Sequence, residues 1–222
     1  MIYIYLAVCV VGFVTLGGDF SQMYLLYMIS VIGIMISRAR NTTMLHLCAG
    51  LLLVKIIELA AIFYFPTQAD INTNIAPVWL NTNNYLIHLV LDVCLLWFIM
   101  FRPYISRQYL RWLTFPFGKQ HTDEELTYTQ TEAWLITVMF MYFAVDLAAL
   151  AENLVRNLEH VGVDESIAAY FWKWTLVYHA YLPVKNYLNL LELVVIWFSV
   201  SPRGEQPINK KLKQGLHFVF RA

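Results

Sequence analysis

Residues 44–65 read MLHLCAGLLLVKIIELAAIFYF. Such a run matches the ~17–25 residues that a helix needs to cross the hydrocarbon of a bilayer. Further apolar segments lie at 2–16, 23–37, 85–101, 133–151 and 184–200. The segment at 133–151 also has the length to span, and those at 85–101 and 184–200 just reach it. The first two are short, and Gly17-Gly18-Asp19 supplies the turn of a tight hairpin between them. No Lys or Arg precedes the first segment and no small-x-small site follows it. It therefore reads as a retained span rather than a signal peptide.

Composition agrees. Hydrophobic residues make up 59% of the 222 and charged residues 14%, against the roughly 25% charged of soluble domains. A soluble chain this short cannot hide so much apolar surface. Disorder, a basic nucleic-acid-binding domain and a disulfide scaffold are excluded on the same grounds. Cys9, Cys48 and Cys94 lie in apolar runs without a Cys-x-x-Cys spacing. They read as small buried hydrophobes. The expected fold is all-α: a polytopic membrane helical bundle of six spans with short interfacial helices, forming one integral domain over 1–222.

Loop charge orients it. Arg38 and Arg40 follow the second segment; Arg102, Arg107, Arg111 and Lys119 follow the fourth; Arg203, Lys210, Lys211, Lys213 and Arg221 fill the tail. The alternate connections hold almost no basic residue beyond Arg156. Basic loops favour the cytoplasmic side, which puts both termini there, in a plasma membrane or another energy-transducing inner membrane. Tyr104–Thr114 reads as a short interfacial helix, Thr122-Asp123-Glu124-Glu125 as a capping box, and 66–84 as a polar external loop. The sequon Asn41-Thr42-Thr43 falls on the cytoplasmic side and is discounted. The aromatic stretch 168–182 reads as an external interfacial helix, with Pro183 beginning the last span.

Two hairpins, 44–103 and 133–203, share local strings. Glu58-Leu59-Ala60-Ala61 stands against Asp146-Leu147-Ala148-Ala149, and Asp92 then Trp97-Phe98 against Glu192 then Trp197-Phe198. Parallel duplication about an axis along the membrane normal would produce this pattern, and so would the small alphabet of apolar helices.

The chemistry rests on ionisable residues inside the spans, where each costs about 2.5–3.5 kcal/mol near the centre. Lys55 and Glu58 share a face at i,i+3, and His88 and Asp92 share one at i,i+4. Asp146 and Glu192 stand on the fifth and sixth spans, with Glu152 and Lys185 near the outer ends. At ~1.5 Å per residue, Glu58, Asp92, Asp146 and Glu192 all fall roughly 8–12 Å below the outer surface. Four acids at one level repel unless some hold protons or a cation. The functional reading is a proton- or cation-conducting transporter or channel subunit, with Glu58, Asp92, Asp146 and Glu192 as the site, Lys55 tuning Glu58 and His88 serving Asp92. The competing reading pairs Lys55 with Glu58 and His88 with Asp92 inside a non-catalytic structural or accessory subunit of a larger membrane complex. Expected partners are the bilayer and other membrane subunits or further copies, not nucleic acid.

No cofactor is expected. Haem ligation by His88 and His179 is the minor alternative, and the Glu-x-x-His of di-iron bundles is missing from the sequence. No phosphate loop, nucleophile elbow or catalytic domain points to an enzyme.

Overall fold

The computed structural model describes residues 20–38, 41–71, 77–108 and 128–199. The segment 2–16, the capping box at 122–125 and the basic tail lie outside them. Every regular element among the described residues is helical: α1 (Phe20–Ser37), α2 (Thr42–Ile71), α3 (Pro77–Gln108), α4 (Gln130–Arg156), a 3-10 turn (Leu158–Val161), the short α5 (Glu165–Ala168) and α6 (Leu176–Phe198).

Local signals set the ends. Asn41 caps α2, its Oδ1 accepting from the Met44 N–H at 3.1 Å. The Asn of the discounted sequon is thus a helix cap, and Thr42 and Thr43 beside it are buried. Pro77 opens α3, where its missing N–H costs nothing. A reciprocal capping box opens α4: Glu132 N–H to Thr129 Oγ1 at 3.4 Å and Thr129 N–H to Glu132 Oε2 at 2.8 Å. At the other end of α4, Gly162 (φ +93°) closes the 3-10 turn.

Several expected boundaries move. The polar stretch 66–84 is mostly helix, since α2 runs to Ile71 and α3 starts at Pro77. α3 continues through Pro103 to Gln108, so no separate helix begins at Tyr104; residues 109–114 lie outside the described ones. The stretch 168–182 is not one interfacial helix. It holds the end of α5, a run of turns and then α6, which starts at Leu176. Pro183 sits inside α6 rather than at its start, beyond the first turn, so its missing N–H costs one hydrogen bond.

The five long helices close into a ring in which each packs on the next, in the order α1, α2, α3, α4, α6 and back to α1. α2 and α3 approach closely at Gly50, where a Cβ would meet the Phe98 ring at 2.2 Å. Among the described residues, three segments are long and apolar enough to cross a membrane: Thr42–Ala61, Val78–Gln108 and Gln130–Arg156. Residues 24–37 of α1 form a shorter apolar helix. α6 is not among the three, and His179, Lys185, Asn186, Asn189 and Glu192 interrupt its apolar run.

Burial runs opposite to that of a water-soluble bundle. Ile29 and Ile36 of α1, Leu53 of α2, Trp97 of α3 and Phe140 of α4 face outward, each more than half exposed. Lysines, acids and an arginine are buried in the interior. That interior has three levels. Tyr24, Tyr27, Lys55, Glu58, His88, Asp92, Tyr142, Asp146, Lys185 and Glu192 form the first, toward the Arg156 end. Beneath them, Val31, Leu47, Leu51, Leu95, Ile99, Leu135, Met139, Leu193 and Ile196 form an apolar layer. At the Arg102 end lie His46, Arg102, Ser106 and Glu132. Ten residues of α3 separate Asp92 from Arg102, or ~15 Å of helix.

The connection from α4 to α6 is tied down on its surface. The Trp172 indole N–H donates to Glu159 Oε2 at 3.1 Å. Backbone hydrogen bonding at Glu159 first, and this indole bond second, hold the Glu159 carboxyl below the usual carboxylate range. A depressed folded value makes the contact fully present above the unfolded value and lost as pH falls through the lowered one. The Trp172 share of the fluorescence, isolated as wild type minus Trp172→Phe, should stay constant through the usual carboxylate range and shift only in stronger acid. Glu159→Gln should remove that shift. A midpoint at or above the ordinary glutamate value would contradict the contact.

Candidate functional site

The six residues singled out from sequence, Lys55, Glu58, His88, Asp92, Asp146 and Glu192, are each at most 2% exposed and gather in the ring's interior. Their hub is a residue that the sequence reading left at the edge. Lys185 Nζ lies 3.0 Å from Asp146, 3.5 Å from Asp92 and 3.6 Å from Glu58. One ammonium thus meets carboxylates from α2, α3 and α4. Lys185 takes this place because α6 starts seven residues before Pro183, which moves Lys185 from the end of the helix into its body.

Around the hub the pairs differ in part from those expected. Lys55 and Glu58 do form an i,i+3 pair, at 2.9 Å. His88 does not serve Asp92: its Nδ1 lies 2.6 Å from Glu58 Oε1. Glu58 therefore receives Lys55 on one oxygen and His88 on the other, with Lys185 nearby. Asp146 accepts from the Tyr181 hydroxyl at 2.8 Å as well as from Lys185. Asp92 is the least satisfied acid. Its Oδ2 is buried without a hydrogen bond, and its ion pair with Lys185 is long.

Tyrosines line the rest. Tyr27 donates to Glu192 Oε1 at 2.7 Å. The Tyr142 hydroxyl lies 2.7 Å from Asn189 Oδ1 and 3.2 Å from Glu192 Oε2. Its one proton serves one acceptor at a time; a proton on Glu192 would let the second contact form. The Lys55 ammonium stands over the rings of Tyr24, Tyr27 and Tyr142 at 5.3, 5.6 and 4.9 Å from their centroids. Lys185 stands over Tyr142 and Tyr181, each at 5.5 Å. These faces attract a cation without adding another anion. Tyr181 is half-buried and, of the residues named in the cluster, the one that reaches the surface.

Charge in the cluster does not balance. Two lysines face four acids, which leaves −2 with His88 neutral and −1 with it protonated. Unbalanced charge in a low-dielectric interior costs several kcal/mol per ion. One or two added protons or a cation would neutralise it. The Lys185 ammonium already holds the central position among three acids. Among the described residues no three His, Cys, Asp or Glu side chains are placed to hold a metal ion.

The sequence reading missed Tyr24, Tyr27, Tyr142, Tyr181 and Asn189 and left Lys185 outside the site, although spacing carried a signal for those on α4 and α6. Tyr181, Lys185, Asn189 and Glu192 follow one another at four, four and three residues, a single stripe on α6, and Tyr142 stands four before Asp146. It also took Arg102 as a loop charge. Arg102 is fully buried and holds Glu132 in a two-pronged pair, Nε to Oε1 at 2.5 Å and Nη2 to Oε2 at 2.6 Å, while Nη1 reaches Thr43 at 3.3 Å. His46 Nδ1 and Ser106 Oγ, 2.8 Å apart, share this level. The two histidines considered for haem have different surroundings: His88 is buried on Glu58, and His179 is exposed beside Tyr178.

No protein-family model, curated protein or solved structure matches this chain.

Proposed function

We propose that the chain is a multi-pass membrane protein whose buried cluster exchanges protons, as a subunit of a proton-conducting transporter or channel. The apolar outward faces suit a lipid surround, where burying charge and exposing Ile and Leu is the favourable arrangement. In this reading the chain crosses six times, with the Arg102 end on the cytoplasmic side under the basic-loop rule.

The observation that carries the function is the carboxyl excess around Lys185. Four acids from four helices share two ammonium groups, and Asp92 keeps an unbonded oxygen. A proton fits this gap better than a metal, because an ammonium stands where a metal would bind. Tyr181, half-buried and bonded to Asp146, is the relay between the cluster and the aqueous face at the Arg156 end. The apolar layer closes the path toward Arg102, so through-passage requires the helices to open there. Access from one side at a time is the behaviour of a transporter.

Proton flux into vesicles reconstituted with the protein tests this. Asp92→Asn and Asp146→Asn should lower flux to the level of empty vesicles while incorporation stays normal, and Tyr181→Phe should slow it about ten-fold or more. Unchanged flux in both Asn variants would refute the proposal. It would favour the second reading, an accessory subunit whose cluster only holds helices together, which the intact Lys55–Glu58 pair and the unbroken apolar layer support. Recovery of stoichiometric partners in mild detergent would mark that case.

A further inference from the structure

A groove of about 810 Å³ opens on the outside of the bundle at the Arg156 end. One wall is α4, presenting Ala148, Ala151 and Val155; the other is Trp174, Leu176 and Val177 at the start of α6. The lining is mainly apolar, and Lys173, His179 and Glu152 supply its ionisable groups. Glu152 is already committed. Thr175 provides no side-chain cap for α6, and the Glu152 carboxylate replaces it, accepting from the Val177 and Tyr178 N–H groups at 2.7 Å each. Lys173 and His179 are exposed beside it, so the groups the groove leaves open to a ligand are an ammonium and an imidazole. Trp172, Trp174 and Tyr178 around it are exposed too, the residue types that settle at the headgroup level of a bilayer.

We infer that this groove binds one phospholipid of the surrounding bilayer, with its phosphate on Lys173 and His179 and the upper part of one acyl chain along Ala148, Ala151 and Trp174. Three features carry the assignment: an exposed ammonium and imidazole at the rim beside an acid already bonded to backbone N–H groups, an apolar floor of small side chains, and continuity with the outward apolar face of α4. The volume falls in the ~300–1,000 Å³ range of small-molecule sites. The inference rests on the membrane placement proposed above and is independent of proton exchange.

Bromine-labelled phosphatidylglycerol quenches a tryptophan that it touches. Titrated into the full chain in mild detergent, it should quench the Trp174 share of the fluorescence (wild type minus Trp174→Phe) saturably. Lys173→Glu should weaken that binding about ten-fold or more. Ala151→Trp, which fills the groove at an exposed position, should remove the saturable part. Quenching that never saturates, or that is equal in wild type, Lys173→Glu and Ala151→Trp, would show contact by bulk lipid and overturn the site. Equally strong quenching by a brominated fatty acid would overturn the phosphate assignment. Recovery of the chain from cells without detergent would refute the membrane placement instead, which separates the two failures.

Discussion

Lys185→Met should be among the most damaging single substitutions in this chain, costing about 3–5 kcal/mol, the usual consequence of stranding buried charge. Methionine matches the lysine stem in length and apolar character, so packing is largely kept while the ammonium is lost. Asp146, Asp92 and Glu58 then face one another without the cation that all three share. Adding Asp146→Asn to Lys185→Met removes one stranded anion and should recover part of the loss, a coupling that additive sites do not show. Lys173→Met provides the control: that side chain is exposed, and its change should stay within about 0.5 kcal/mol. Detergent-extracted yield and thermal unfolding read all three. A Lys185→Met protein as stable as wild type would mean that the hub is not a hub.

Arg102→Leu should have an effect of the same size for a related reason. The guanidinium is fully buried and meets both oxygens of Glu132, so its removal leaves a desolvated carboxylate at the mouth of α4. The loss should be about 3–5 kcal/mol. The double variant Arg102→Leu with Glu132→Leu should return most of it, because an apolar pair can replace a buried ion pair at little cost. The recovery should stop short of wild type, since Glu132 also closes the capping box with Thr129. Arg102→Lys should rescue poorly: an ammonium cannot offer the planar fork that reaches both oxygens. Equal stability of the single and double leucine variants would contradict this assignment.

Much of this is legible in the sequence. Apolar segment lengths located the long helices, because a helix that faces lipid has to be apolar over a fixed length. Helical rise alone put Glu58, Asp92, Asp146 and Glu192 at one level, and they do lie in one cluster. Rotation about the ring was not readable: His88 sits four residues before Asp92 yet bonds Glu58 on the neighbouring helix. Same-helix spacing says which side chains share a face, and only packing says whom that face meets. Pro183 misled for a different reason. Proline marks a helix start by preference only, and here it is carried inside the helix at the loss of a backbone hydrogen bond, so the start lies at Leu176 and Lys185 falls further in. Arg102 was hidden by its neighbours, since a run of basic residues after an apolar segment reads as loop until one of them is found buried against an acid 30 residues on.

In the proposed function the interior holds more carboxyl groups than cations and carries the difference as exchangeable protons. Infrared absorption of protonated carboxyl groups, recorded at neutral pH in light and heavy water, reads those protons. The expected result is a protonated-carboxyl band that shifts on deuteration and shrinks in Asp92→Asn or Glu192→Gln, with the helical bands unchanged. A spectrum without that band, in a folded protein, would mean that all four acids are ionised and that the cluster is an ion-paired scaffold rather than a proton store.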